Sequence, residues 1–144
     1  TMAKSVPLIY SGQEEPVLRA LEFFEKDPIH FKHYARAGFY KTLLSLRKRD
    51  IALSPDAEFR KISAGDKQSV YAYVRTKAGK KILVILNFSN KEQNISIKDK
   101  SLWGKPYNVF MHSNESLSGR TWKMEPWGYA VYEYASARAG VATK

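Results

Sequence analysis

Apolar and polar positions change their pattern twice along the chain. Val6, Leu8, Ile9 and Tyr10 make a short apolar run that breaks at Ser11-Gly12-Gln13-Glu14-Glu15. A run of this length ending in turn residues predicts a strand buried on both faces, of the kind found in a parallel sheet covered by helices. Residues 16–26 mix carboxylates with Leu18, Leu21, Phe23 and Phe24 and read as a folded connection. Asp27-Pro28 suits a helix start, because Asp accepts from an unpaired backbone N–H and Pro lacks a donor that would go unused there. One helical turn through Phe31–Tyr34 is therefore expected. After Gly38, Phe39, Tyr40, Leu43, Leu44 and Leu46 recur at helical spacing, which predicts an amphipathic helix over residues 37–49.

From residue 57 the period becomes two. Phe59 and Ile62 mark a short strand. Val70, Ala72 and Val74 alternate with Tyr71, Tyr73 and Arg75, and Lys77-Ala78-Gly79-Lys80 predicts a hairpin connection. The nearly unbroken aliphatic stretch from Lys81 to Phe88 reads as a central strand, and Ile95 and Ile97 as part of a half-exposed one. Further strands are expected at residues 107–111, 121–124 and 128–134. Short strands at this spacing indicate an antiparallel Greek-key β-sandwich. Ser54-Pro55-Asp56 is the natural boundary, dividing the chain into residues 1–53, a β-domain over 54–134 and a polar tail over 135–144.

Size constrains the first part. A whole barrel of eight strand–helix units needs roughly 250 residues, and the chain has 144. The opening strand would then belong to a larger fold. No apolar run approaches the ~20 residues needed to span a bilayer, and the absence of cysteine excludes disulfides and thiolate metal sites. The formal net charge is +10, but it is spread thinly: residues 1–53 carry nine Lys/Arg against six Asp/Glu, and residues 54–134 thirteen against eight. Arg47-Lys48-Arg49 fits the last turn of the predicted helix, where cations oppose the negative dipole end. Lys77, Lys80 and Lys81 flank a turn.

Several segments together resemble the alpha-amylase family of glycoside hydrolases. They are Pro7-Leu8-Ile9-Tyr10-Ser11-Gly12-Gln13-Glu14, Phe23-Phe24-Glu25-Lys26-Asp27-Pro28-Ile29, Phe39-Tyr40-Lys41, Leu46-Arg47-Lys48-Arg49, Asn87-Phe88-Ser89 and Met124-Glu125-Pro126-Trp127-Gly128-Tyr129-Ala130-Val131-Tyr132. The resemblance runs from residue 6 to residue 134 and is to the C-terminal portion of that family. It implies the last strand and helix of a (β/α)8 catalytic barrel followed by the antiparallel β-domain. It also implies a whole enzyme that cleaves or transfers α-glucosidic linkages in starch-like glucans. Gln13 and Glu14 would then lie in a loop at the barrel mouth.

The catalytic chemistry itself is not found in these residues. A retaining glycosidase needs two carboxyl groups about 5–5.5 Å apart, and the resemblance places the family's carboxylates upstream of residue 1. Glu14 and Glu15 are sequence neighbours and would point in different directions. No catalytic residue, cofactor or metal site is assigned. His30 and His33 lack the further ligands that Zn²⁺ requires, and His112 reads as loop. Aromatic side chains in strands are most often core, so Trp122 and Trp127 are expected to pack, which leaves Trp103, beside Gly104, as the candidate platform for a sugar ring. Asn-x-Ser triplets begin at Asn87, Asn94 and Asn114, a pattern common by chance.

The leading reading is a non-catalytic, structural C-terminal portion of an α-glucan-active glycosidase, whose partner is the catalytic barrel of the parent. Its helix face of Phe39, Leu43 and Leu46 is expected to pack on barrel elements. Without the barrel, that face and residues 6–10 should fold back on the β-domain or pair with another copy of the chain. A standalone carbohydrate-binding β-module and a basic nucleic-acid-binding β-domain are the alternatives. The second lacks the RNA-recognition signature around Tyr71 and Tyr73, and no nucleic-acid partner is expected.

Overall fold

The computed structural model describes residues 5–17, 19–20 and 22–135. Helix α1 spans Ala37–Arg49. Eight strands follow: β1 (Glu58–Ile62), β2 (Val70–Lys77), β3 (Lys80–Asn87), β4 (Gln93–Ser96), β5 (Tyr107–Asn108), β6 (Ser113–Asn114), β7 (Thr121–Met124) and β8 (Tyr129–Tyr134). They form a six-stranded sheet in the order β1-β2-β3-β8-β5-β6 and a two-stranded sheet of β4 and β7. All pairings are antiparallel. After β3 the chain crosses to the small sheet for β4, returns to the far edge of the large one for β5 and β6, crosses again for β7 and comes back at β8 between β3 and β5, which makes the expected β-sandwich with a Greek-key crossing.

The large sheet is covered on both sides, which explains the continuous apolar run of β3. On its inner face Ala72, Val74, Leu83, Ile85, Ala130 and Tyr132 pack against Ile95 and Met124 of the small sheet, with Ile97, Leu102 and Leu117 closing the layer. On its outer face Tyr73, Ile82, Val84 and Val131 meet Leu43 and Leu46 of α1 and Ala52 and Leu53 of the short 3₁₀ turn after it. The helix face expected to pack on a barrel is thus seated on the β-domain. Leu46 is fully buried, and burying a Leu stabilises by roughly 2 kcal/mol.

Two local features secure this arrangement. The hairpin β2–β3 closes through Ala78-Gly79 alone, both with positive φ (47° and 75°), as the right-handed twist of paired strands favours. Arg75 is completely buried; its guanidinium donates to the carbonyl oxygens of Ser54 (2.6 Å) and Glu58 (3.3 Å), tying the connection after α1 to β2.

The N-terminal segment departs from expectation. Residues 6–10 form no strand, and Val6, Leu8 and Tyr10 are 82%, 83% and 65% exposed. A strand of this type requires neighbours on both edges, and the described residues supply none; nor does the segment fold back on the β-domain. The helical turn after Asp27-Pro28 is also absent. Its cap is spent elsewhere: the Asp27 carboxylate takes the Arg19 guanidinium and the Glu22 N–H. The expected strand at 107–111 stops at Asn108, because the Asn108 side-chain oxygen accepts from the N–H groups of Phe110 and Met111 and turns the chain. Leu18, Leu21 and the tail from residue 136 lie outside the described residues.

Candidate functional site

Gln13 and Glu14 sit in a compact turn. The Tyr10 N–H donates to Gln13 Oε1 (2.9 Å) and the Gln13 N–H to the Tyr10 carbonyl (3.1 Å). Gly12 adopts φ +91°, and a Cβ there would lie 2.8 Å from the Ile29 side chain, so both conformation and space call for glycine. Glu15 Oε2 accepts from the N–H groups of Lys32 (3.1 Å), His33 (2.9 Å) and Tyr34 (2.7 Å), and these bonds, Tyr34's first, hold its carboxyl below the usual range. A carboxyl held ionised in this way is poorly suited to donate a proton, and its three bonds anchor the chain at residues 32–34. Glu14 is joined to the same loop through its backbone, the Arg36 N–H donating to its carbonyl (3.0 Å), while its Oε2 is buried without a partner. These bonds join residues 10–15 to residues 32–36.

The remaining candidates are dispersed. His30, His33 and His112 are exposed, and among the described residues no cluster of three metal-binding side chains occurs. Arg49 of the basic cluster ion-pairs with Glu133, which fastens the end of α1 to β8. Lys77 binds Asp56 (2.6 Å), and Lys81 donates to the Ser101 carbonyl (2.9 Å). Trp103 is 39% exposed; its indole N–H donates to the Ile97 carbonyl (2.9 Å), and the Lys100 ammonium lies 5.7 Å from the ring centroid. Asn87 is buried with its amide fully engaged, so in the folded chain it is not a glycosylation acceptor. No helix among the described residues is long and apolar enough to cross a membrane.

A different constellation stands out at one end of the large sheet. Trp127, expected to pack, is 64% exposed, and Phe88 60%. With Phe39 of α1, Phe110 and Tyr129 they line an apolar groove of about 370 Å³. Phe110 and Tyr129 meet edge to face (4.8 Å), and both contact Phe39. The walls are held from below by Asn87, whose Nδ2 donates to the carbonyls of Lys91 and Glu125 (both 2.8 Å) and whose Oδ1 accepts from the Ser89 N–H (3.0 Å) and hydroxyl (2.7 Å). The Trp127 N–H donates to the Ser89 carbonyl (3.0 Å) and the Asn87 N–H to the Gly128 carbonyl (2.8 Å). Two turns bearing exposed aromatics are thus held together by one buried amide and two backbone hydrogen bonds. Assigning all strand-adjacent tryptophans to the core missed this; the readable signal was Glu-Pro-Trp-Gly, which puts Trp127 in a turn.

Residues 70–129 match the family described as the Alpha-amylase SusG C-terminal domain. Over that interval the β-domain is similar to the alpha-amylase C-terminal domain. Solved structures agree on the fold: the trehalulose synthase MutB from Pseudomonas mesoacidophila MX-45 superposes with a TM-score of 0.55 at 24% identity over 67% of this chain. An inactive double mutant of MutB gives 0.56 at 24% identity over 70% of this chain, and a mutant bound to the substrate sucrose gives 0.55 over 67%. The matches cover only 17% or 18% of the MutB chains. No curated protein sequence matches the chain. The matched interval lies within the sandwich and ends at Tyr129, on the rim of the aromatic groove.

Proposed function

We propose that the chain is the C-terminal portion of an alpha-amylase-like retaining glycosidase acting on α-glucans, and that this portion is non-catalytic and caps the catalytic barrel. The observation that carries the reading is the contrast between its two parts. Helix α1 is buried on an amylase-type sheet, whereas the segment leading into it leaves Val6, Leu8, Tyr10, Phe23 and Phe24 in solvent. Apolar residues that end in a hydrogen-bonded turn at Gly12 fit a strand whose neighbours belong to another part of the protein.

In this reading the two carboxyl groups that flank the scissile bond come from earlier strands, one as nucleophile and one as acid–base. Glu15, tied to three backbone donors, anchors its own loop. The loop of Gln13 and Glu14 would shape the mouth through which glucan enters. The test is proton NMR of maltoheptaose incubated with the chain alone and with the protein encoded together with its upstream residues. The longer protein should release the α-anomer first, and the 144-residue chain should release nothing. First release of the β-anomer, or turnover by the chain alone, would overturn the proposal.

A further inference from the structure

We infer that the cleft between helix α1 and the β5–β6 turn is a binding site for a phosphate group, free or carried as a monoester on a small molecule. The inference does not rest on the glycosidase reading.

Three observations lead to it. The first is chemical convergence. On α1, Lys41, Ser45 and Arg49 follow one another at four-residue intervals and so share a face, with Thr42 beside them. Tyr107 of β5 and His112, just ahead of β6, complete the polar lining of a cleft of about 270 Å³. Pockets for drug-sized ligands run from roughly 300 to 1,000 Å³, so this one suits a small ligand. Each of these six side chains carries a polar hydrogen, and no carboxylate lines the cleft. Two cations and several neutral donors converging on one space recognise an oxyanion.

The second observation is how these groups are committed. The Lys41 ammonium and the Ser45 hydroxyl have no partner among the described residues. Arg49 gives Glu133 only the Nη2 of its guanidinium, so its fork keeps further N–H groups. Glu133 balances the charge of Arg49, and Lys41 therefore supplies the net attraction. The Tyr107 hydroxyl and His112 Nδ1 are hydrogen-bonded at 3.1 Å. Where the hydroxyl donates, the imidazole keeps its Nε2–H, and where Nδ1 donates, the hydroxyl keeps its own hydrogen; one donor remains in either arrangement. The Thr42 hydroxyl donates to the Gly38 carbonyl (3.0 Å), which leaves its oxygen as an acceptor. That acceptor suits the P–OH of inorganic phosphate or a hydroxyl of an ester.

The third is preorganisation. Phe39 stacks on Phe110 (5.5 Å) near the start of α1, and Arg49 pairs with Glu133 of β8 at its end, so helix and sheet are fastened on both sides of the cleft. Asn108, 5% exposed, turns the chain after β5 by accepting from the N–H groups of Phe110 (3.1 Å) and Met111 (3.2 Å). His112 follows with φ +52°, a conformation uncommon for any residue but glycine. Strain of this kind at a residue lining a pocket points to a use for its side chain.

The test is an amide NMR titration of the 144-residue chain with inorganic phosphate, glucose 1-phosphate and sulfate, each compared with sodium chloride at equal ionic strength. Phosphate should shift the amides of residues 41–49 and 107–112 saturably, with a Kd of about 1 mM or below. Tighter binding of glucose 1-phosphate would assign the site to phosphorylated small molecules, and tighter binding of inorganic phosphate to the free ion; both support the inference. Sulfate, which has no proton to give Thr42, should bind severalfold more weakly. Lys41→Gln and His112→Gly should each weaken phosphate binding about tenfold, the loss of one charge-assisted hydrogen bond. Their melting temperatures should stay close to that of the parent chain, since Lys41 is exposed and glycine accepts the backbone at position 112 without strain. Shifts that sodium chloride reproduces, sulfate binding equal to that of phosphate, or unchanged affinity in both variants would each overturn the inference.

Discussion

Asn87 shows how one polar side chain can organise a surface. It is 2% exposed at the end of β3, and its amide holds the turn at residues 88–91 against the turn at residues 125–128. Replacing it with Ala removes the side-chain hydrogen bonds that join the two turns, although the Lys91 and Glu125 carbonyls each keep a donor in the Ser89 hydroxyl and the Gly128 N–H. Asn87→Ala should therefore lower stability by on the order of 3 kcal/mol, measured by urea unfolding, and raise hydrogen exchange at the Trp127 amide. A loss below about 0.5 kcal/mol, the level of an ordinary surface change, would mean the clamp is not structural. The role of Asn87 was not legible in the sequence: Asn87-Phe88-Ser89 reads equally as a strand end and as a glycosylation triplet. What distinguishes them is a set of bonds to residues 37 and 38 positions further on, which no local pattern encodes.

At the scale of elements, legibility followed locality. Helix α1 was predicted at its observed bounds, because its Phe39, Leu43 and Leu46 repeat is local and its last turn carries three cations. The strands β1 to β4, β7 and β8 were found for the same reason. Residues 6–10 failed as a strand since pairing needs partners, and residues 28–34 failed as a helix since Arg19 and Glu15 captured the groups that a helix start would use. Ion pairs across elements set an acid limit. Asp56 is held at about 2 chiefly by Lys77, and Asp99, at the turn before β5, at about 2 by Ser101 and then by Arg60 of β1. A carboxyl whose folded value lies below its ordinary value of 3.8 stabilises the fold above that value and loses the contribution as pH falls toward 2. The melting temperature should thus drop between pH 4 and pH 2, and Asp56→Asn with Asp99→Asn should flatten that drop while lowering stability at pH 7. An unchanged acid slope in the double variant would exclude these two carboxyls as its source.

For the molecule as a whole, the sandwich has two complete apolar layers, one between its sheets and one beneath α1. Arg49, Arg60, Lys77 and Lys123 are paired within the fold. The incomplete part is the segment ahead of α1, where the apolar side chains outnumber what covers them. The central claim is that residues 6–10 are a barrel strand separated here from its neighbours. Amide hydrogen exchange of those residues tests it most directly, in the 144-residue chain and in the protein with its upstream residues. Exchange should be complete within seconds in the former and slowed by about a hundredfold or more in the latter, as expected on moving an amide from open coil into a packed ladder. Protection in the chain alone, or unprotected amides in a longer protein that hydrolyses α-glucan, would contradict it.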